Sequence, residues 1–534
     1  LKSHPVNAGW LFRSGAAPGT LTSENGENRP KRGAILRTMN TDNRLSTPST
    51  AACEIARLSR DARFDGVFFT AVLSTRIYCR PVCPARAPKA ENVVYYPSAA
   101  AAQAQGFRPC LRCRPELAPG NQLWLQGEHL VSRALTLINE GYLAEHSLEE
   151  LAERMDIGAR QLRRLFVHYL GAPPMAVHST RRLLFAKQLL TETDLSITEV
   201  AMASGFGSLR RFNAAFAEAN HAEPRAFRRS PKARADKALV LRLGYRPPYD
   251  FAALLGFLQT RALPGIEQVD GHSYQRVFGS PEAPGWLRVS AWPGEQHALQ
   301  LELRNVPPGQ MLAVVTRIRR MFDLDADPLA IARTLSASPL LAPVIGRYPG
   351  LRLPGGWDGF EVAVRAVLGQ QVSVAAARTL ASRIVQRHGV AIEADKGSGL
   401  DRLFPGPEQL AQADLGQMGI TQARINTIQG IARALAQGRV DFAVEQPLER
   451  FIERWVQLPG IGEWTAHYIA MRVLKHPDAF PAADLILRRE ANPQGEPLST
   501  KALQALAESW RPWRAYSVMY LWRAATDSIT ARKV

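Results

Sequence analysis

The sequence predicts a multi-domain chain, mainly α with α+β parts, and three observations carry that expectation. At 534 residues it is too long for a single hydrophobic core. Its patterning changes along its length, from a cysteine-bearing stretch with short β-type runs to amphipathic helical segments, then to alternating apolar runs, then to helices again. Distinct local motifs fall inside separate blocks: a four-cysteine array, two similar helical units in tandem, and a glycine-rich hairpin. The expected order is a disordered segment over residues 1–50, a small α+β domain over 51–118, and a double helix-turn-helix domain over 122–230. A small α+β subdomain over 238–316 and an all-α helix-hairpin-helix domain over 317–527 complete it.

The first fifty residues are rich in Ser, Thr, Asn, Pro and Gly with few large apolar side chains, which is why disorder is expected there. The chain opens at Leu1 and its first methionine is Met39, so translation starts there or at an unusual codon upstream. Lys and Arg number 66 against 48 acidic residues, a formal net charge of +18 that draws the chain to polyanions, with nucleic acid the leading partner. No apolar run approaches the ~20 residues needed to cross a bilayer, and the first residues lack a signal-peptide core.

Cys79, Cys83, Cys110 and Cys113 make a C-x3-C-x26-C-x2-C array. Two close pairs joined by one connection suit a tetrahedral Zn²⁺ site, each pair gripping one edge; disulfides fit poorly in a chain with no other mark of secretion. Arg76, Arg80, Arg86, Arg108, Arg112 and Arg114 crowd the array and are expected to form a phosphate-facing surface. The stretches Ser59-Arg60-Asp61-Ala62-Arg63-Phe64-Asp65-Gly66, Tyr78-Cys79-Arg80-Pro81, Glu91-Asn92-Val93 and Gly106-Phe107-Arg108-Pro109-Cys110 resemble the amino-terminal domain of the Ada family of alkylation-response proteins. That resemblance implies a zinc-bound thiolate at Cys79 that takes a methyl group from a DNA methylphosphotriester, with Cys83, Cys110 and Cys113 as ligands only. A thiolate held deprotonated by the metal is the soft nucleophile such a displacement needs. Four thiolates on Zn²⁺ carry a formal charge of about −2 and methylation leaves −1, so repulsion from DNA falls after repair.

After Pro119-Gly120 two units follow. Ser147 with Glu150, and Ser196 with Glu199, are capping boxes, each starting a helix that is followed by a Gly-containing turn and a second helix. The units resemble the paired helix-turn-helices of AraC-family regulators, including the later Pro224-Arg225-Ala226-Phe227-Arg228. That resemblance implies promoter DNA as a partner, with RNA polymerase a further one. In each unit the second helix enters the major groove, so Arg160, Gln161 and Arg163, then Ser208, Arg210 and Arg211, are expected near bases or phosphates. Phe206, Phe212 and Phe216 are expected in the core.

A basic linker over 228–234 then leads into the subdomain, which has no catalytic signature and is expected to pack and to make modest DNA contact. Leu458-Pro459-Gly460-Ile461-Gly462-Glu463-Trp464-Thr465-Ala466 reads as a helix-hairpin-helix, whose Gly460 and Gly462 permit a tight turn with amides aimed at a phosphate. A monovalent cation at this hairpin is a further candidate cofactor. With Arg365-Ala366-Val367-Leu368-Gly369-Gln370-Gln371-Val372-Ser373 before it and Phe480-Pro481-Ala482-Ala483-Asp484 after it, the region from about 238 to 526 resembles AlkA-type 3-methyladenine DNA glycosylases.

That resemblance implies Asp484 as the catalytic carboxylate beneath an oxocarbenium-like sugar, with Asp478 its rival in sequence. It implies Trp464, Tyr468 and Trp522 as aromatics for a flipped cationic base, while Trp513 is expected in the core. Gln371 stands where the family has a wedging leucine. Where glycosylase/lyases carry a Schiff-base lysine this chain has Trp464, so a monofunctional hydrolase is expected; separately, no cysteine follows Cys113 to ligate an iron–sulfur cluster. The chain then reads as a repair enzyme and regulator acting on alkylated and promoter double-stranded DNA in the bacterial cytoplasm, at the nucleoid. The alternative is a transcription factor whose glycosylase-like part only binds DNA. A Pro-Cys-His-Arg motif for O6-methylguanine repair is absent.

Overall fold

The computed structural model describes residues 48–120, 129–228, 238–294, 296–393 and 399–531. The expected disorder over 1–50 falls outside these residues up to position 47; from Thr50 the chain is helical, because Ser49 caps α1 (Thr50–Leu58) by accepting from the Ala52 amide. Among the described residues no helix is long and apolar enough to cross a membrane.

The first domain is a four-stranded sheet in the order β3-β1-β2-β4, formed by β1 (Phe69–Val72), β2 (Ile77–Cys79), β3 (Val93–Tyr96) and β4 (Arg108–Pro109), covered by α2 (Ala99–Ala104). The strands are short and its cores are small: Phe69, Ala71, Tyr78, Ala99, Ala102 and Phe107 in one, and Cys53, Ala56 and Phe68 in the other. So little apolar burial is marginal for a domain of this size, which therefore leans on additional cross-links.

Both helix-turn-helix units form, and both capping boxes are present. The first unit packs α3 (His129–Asn139), α4 (Leu148–Arg154) and α5 (Ala159–Leu170) around Val131, Leu151, Leu162 and Phe166. The long α6 (Pro174–Glu192) leads to the second unit, α7 (Ile197–Ala203) and α8 (Leu209–Asn220). Phe212 and Phe216 are fully buried as expected, whereas Phe206 is only half-buried, beneath the Arg182 guanidinium 3.8 Å from its ring centre.

The subdomain is a five-stranded antiparallel sheet, order β5-β9-β8-β7-β6, from β5 (Leu239–Gly244), β6 (Glu267–Val269), β7 (Ser273–Ser280), β8 (Ala283–Ala291) and β9 (Ala298–Arg304), with α9 (Phe251–Gln259) and α10 (Met311–Met321). The sequence reading set it apart by a basic linker. Most of that linker, 229–234, lies outside the described residues, but Leu189, Val200, Phe212 and Phe216 share one core with Leu241, Leu287 and Leu301 of the sheet. Apolar faces left open by two small units are buried against each other.

The remaining domain is helical: α11 (Pro328–Leu335), α12 (Ala342–Arg347), α13 (Gly359–Leu368), α14 (Val374–His388), α15 (Pro407–Gln412), α16 (Gln422–Ala436), α17 (Leu448–Val456), α18 (Glu463–Ile469), α19 (Leu485–Glu490), α20 (Thr500–Ala507) and α21 (Arg514–Ala531). Its core runs through Val364, Ile428, Phe451, Trp455, Ile469 and Trp513.

Buried cations tie the domains together. Arg246, 1% exposed, donates to the carbonyls of Asp65 at 2.8 Å and Asp325 at 2.7 Å and to that of Gly120. Lys187 of α6 reaches the Cys110 carbonyl at 3.2 Å and pairs with Glu116 at 2.8 Å. Each guanidinium or ammonium satisfies carbonyls that would otherwise be buried without partners.

Candidate metal centre, DNA-facing helices and pocket

The parallel pairing of β2 with β4 sets Tyr78 opposite Pro109, so Cys79 and Cys110 emerge side by side, with the Cys110 amide donating to the Tyr78 carbonyl at 3.0 Å. A turn closed by Cys83 N–H to Arg80 O brings in the second thiol, and the Arg80 amide donates to Cys113 Sγ at 3.3 Å. All four Sγ atoms lie within 4.8 Å of one another, and none is in a disulfide. Ligands about 2.3 Å from a tetrahedral zinc stand about 3.8 Å apart, so this donor set fits one Zn²⁺. Cys110 and Cys113 are 7% and 5% exposed, while Cys79 and Cys83 are half-buried and reachable from outside. The fifth cysteine, Cys53, is buried away from the array, and burial pushes its thiol up to about 12.

The expected arginine surface is smaller than the sequence implied. Arg80 turns inward, its Nε 2.8 Å from Asp65 and its Nη1 3.0 Å from the Cys113 carbonyl. Arg114 pairs with Glu116 at 3.1 Å and Glu192 at 2.9 Å. Their positive charge offsets buried carboxylates and cannot also face phosphate. Arg76, Arg86 and Arg112 remain exposed, and Arg108 half-exposed.

Arg160, Gln161 and Arg163 stand exposed on α5, and Arg210 and Arg211 on α8. Arg163 has Glu149 3.3 Å away. Ser208 differs from expectation: its hydroxyl caps α8 by accepting from the Arg211 amide, which is a structural duty.

Asp484 caps α19, Oδ1 accepting from the Ile486 and Leu487 amides at 2.9 and 3.1 Å. Oδ2 accepts from Trp464 Nε1 at 3.0 Å, so the carboxylate is held from both sides in a cleft. Trp464 and Tyr468, one turn apart on α18, stack at 5.3 Å and 11°, and Trp522 stands 6.4 Å from Tyr468. Asp478 does not share this place. It is 6% exposed and clamped by Arg514, with distances of 2.6 and 2.8 Å, and by Arg511.

Gly460, at φ +87°, needs glycine: a Cβ would lie 2.0 Å from Thr427 Oγ1, whereas a Cβ on Gly462, at the α18 N-terminus, would meet open space. Thr427 Oγ1 donates to the Pro459 carbonyl at 3.1 Å and Gln370 Nε2 to that of Gly460 at 2.9 Å, so both hairpin carbonyls already have protein donors. Gln371 is exposed at the cleft mouth in the left-handed region, φ +56°, an uncommon state for a non-glycine residue.

The sequence reading missed what the sheet subdomain supplies. Phe257 and Arg261 line the same cleft, and Arg472, beyond α18, donates from Nη1 to the Tyr468 hydroxyl at 2.8 Å. The subdomain's part is therefore more than packing. The i, i+4 spacing of Phe257 and Arg261, and of Trp464, Tyr468 and Arg472, was the available signal; no local pattern says that the two faces meet.

Four family models match the chain: the metal-binding domain of Ada at residues 52–116, a helix-turn-helix domain at 151–230, the AlkA N-terminal domain at 240–358 and the HhH-GPD superfamily of base excision DNA repair proteins at 364–514. The DNA-3-methyladenine glycosylase 2 of Escherichia coli is 33% identical over 52% of the chain and 95% of its own length. The bifunctional transcriptional activator/DNA repair enzyme Ada of the same organism is 36% identical over 28% of the chain and 40% of its own length. A probable bifunctional transcriptional activator/DNA repair enzyme AlkA of Mycobacterium tuberculosis is 40% identical over 88% of the chain and 95% of its own length. At that identity and coverage, the chain belongs to the family of bifunctional transcriptional activator/DNA repair enzymes typified by this AlkA.

Proposed function

We propose that this protein repairs alkylated DNA and regulates transcription in response, in two separate chemistries. The helical domain hydrolyses the N-glycosidic bond of alkylated purines such as 3-methyladenine. Asp484 faces the sugar, where positive charge develops as the base departs, and its anchoring by Trp464 and the α19 amides holds that charge in place without reorganisation. This anchored carboxylate inside the aromatic cleft is the observation that carries the reading. Trp464, Tyr468 and Trp522 stack on the flipped base, Gln371 fills the gap it leaves, and the Gly460–Gly462 turn grips phosphate. No lysine lies among the described residues lining the cleft, which supports hydrolysis to an intact abasic site over lyase chemistry.

In the amino-terminal domain Cys79 accepts a methyl group from a DNA methylphosphotriester, once per protein molecule. Bound zinc supplies thiolate character at neutral pH. Burial argues against Cys110 and Cys113 as acceptors, and the choice of Cys79 over the equally reachable Cys83 rests on the resemblance to Ada. Arg160, Arg163, Arg210 and Arg211 engage promoter DNA, which places the protein at the nucleoid of the cytoplasm, with RNA polymerase as the partner of an activator. The test is release of alkylated bases from duplex DNA: wild type frees 3-methyladenine and leaves unbroken strands. Strand cleavage trapped by borohydride would show a lyase instead.

A further inference from the structure

The loop between α13 and α14, which carries Gln371, has no apolar packing to fix it: every residue from Gln371 to Ala376 is exposed. Yet Gln371 keeps a left-handed backbone, φ +56°, which a non-glycine residue holds only where its surroundings impose it. What imposes it is polar. The side-chain amide of Gln370 commits both its protons to the hairpin, Nε2 donating to the Gly460 carbonyl at 2.9 Å and to Thr465 Oγ1 at 3.0 Å. From the other side, the Gln370 backbone carbonyl accepts from Arg424 of α16. Three residues further along α16, Thr427 donates to the Pro459 carbonyl at 3.1 Å. The loop, the hairpin and α16 thus close a ring of hydrogen bonds, and Gln370 is its corner, directly before Gln371.

We propose that Gln370 is a positioning residue that ties Gln371 to the phosphate-gripping hairpin, so that a duplex held at Gly460 and Gly462 meets Gln371 already aimed at the gap. Gripping phosphate and filling the stack belong to two separate loops, and only a fixed distance between them lets one act as the other does. Extruding a paired base costs unpairing and unstacking free energy, which a filled gap offsets and a misplaced side chain does not. Without the two Gln370 donors, the hairpin keeps its Thr427 bond and its grip on phosphate, while the Gln371 backbone is free to relax. The cost therefore falls on flipping and spares bond cleavage. This rests on the glycosylase reading above and on the part it gives to Gln371.

The test compares single-turnover release of 7-methylguanine from a fully paired duplex and from one in which the same base is bulged, with no base opposite. Gln370→Leu keeps the bulk and removes both donors. It should slow release from the paired duplex about tenfold, the worth of one to two neutral hydrogen bonds. From the bulge the loss should stay below about threefold, because flipping costs less there. Gln371→Ala should show the same bias, and the double variant should be no slower than Gln371→Ala alone, since Gln370 acts only through its neighbour. Equal losses on both duplexes, no loss on the paired one, or losses that multiply in the double variant would overturn the inference alone. Gln371→Ala as fast as wild type on the paired duplex would overturn the part given to Gln371, and wild type that frees the base from neither duplex would overturn the glycosylase reading.

Discussion

The metal centre and the cleft solve opposite problems. The four thiols come from one stretch of 35 residues, Cys79 to Cys113, and are placed by two short strands and two turns in a domain with little apolar core. The cleft draws on Phe257, Gln371, Trp464, Asp484 and Trp522, spread over about half the chain, and rests on an extensive core. The first site has little apolar packing around it to hold its shape, whereas the second rests on a packed core. The difference also suits the proposed chemistries. A thiolate used up in one methyl transfer needs only to be reachable, while a carboxylate that acts in every turnover must be fixed.

If that contrast is right, damage to the first site should spread and damage to the second should not. The largest effect is expected from Cys113→Ala, which should lose zinc and unfold residues 51–118, since structural zinc contributes on the order of 10 kcal/mol to small domains. Metal analysis and proteolysis of the full chain check it, with the helical domain staying intact; a variant that keeps one zinc per chain would break the comparison.

Two aspartates sharpen it within the helical domain. Asp478→Ala strips the partner from Arg514 in a buried ion pair and should lower stability by about 3–5 kcal/mol, read from denaturant unfolding. Asp484→Asn should leave stability nearly unchanged and slow base release by about 10²–10³, with binding to alkylated DNA retained through the hairpin. If the two substitutions exchange phenotypes, the catalytic assignment is wrong.

A smaller effect concerns the switch. Incubation with DNA carrying methylphosphotriesters should add one methyl to Cys79, seen by mass spectrometry, and tighten promoter binding by roughly a fewfold as one unit of negative charge is lost; a methyl on Cys83 would move the acceptor. The smallest is expected from Arg210→Ala, which removes one exposed cation from α8 and should lower the salt slope of promoter binding by about 1. An unchanged slope would mean that α8 does not face DNA.

Local chemistry was legible wherever a motif carries its own geometry. Cysteine spacing, the Ser147–Glu150 and Ser196–Glu199 capping boxes and the Gly460 turn each act over a few residues, and each forms as read. Side-chain direction was not legible: Arg80 and Arg114 sit among exposed arginines in sequence, yet Asp65, Glu116 and Glu192 draw them inward. Asp478 and Asp484 lie six residues apart, and sequence alone could separate them only by resemblance. It is the distant Arg511 and Arg514 that claim one, and Trp464 and the α19 amides that hold the other in the cleft.

By itself, then, the sequence determined the kinds of domain, their order and the four-cysteine array, because short-range spacing and turn chemistry decide these, while the aromatic and acidic residues of the cleft came from the resemblance to AlkA-type glycosylases. Only the tertiary structure decided that the second helix-turn-helix shares a core with the sheet, that Arg246 and Lys187 knit the metal domain to its neighbours, and that Arg261 enters the cleft. Those outcomes depend on which distant faces must bury apolar surface together and which buried charges must find partners, and no run of adjacent residues encodes that.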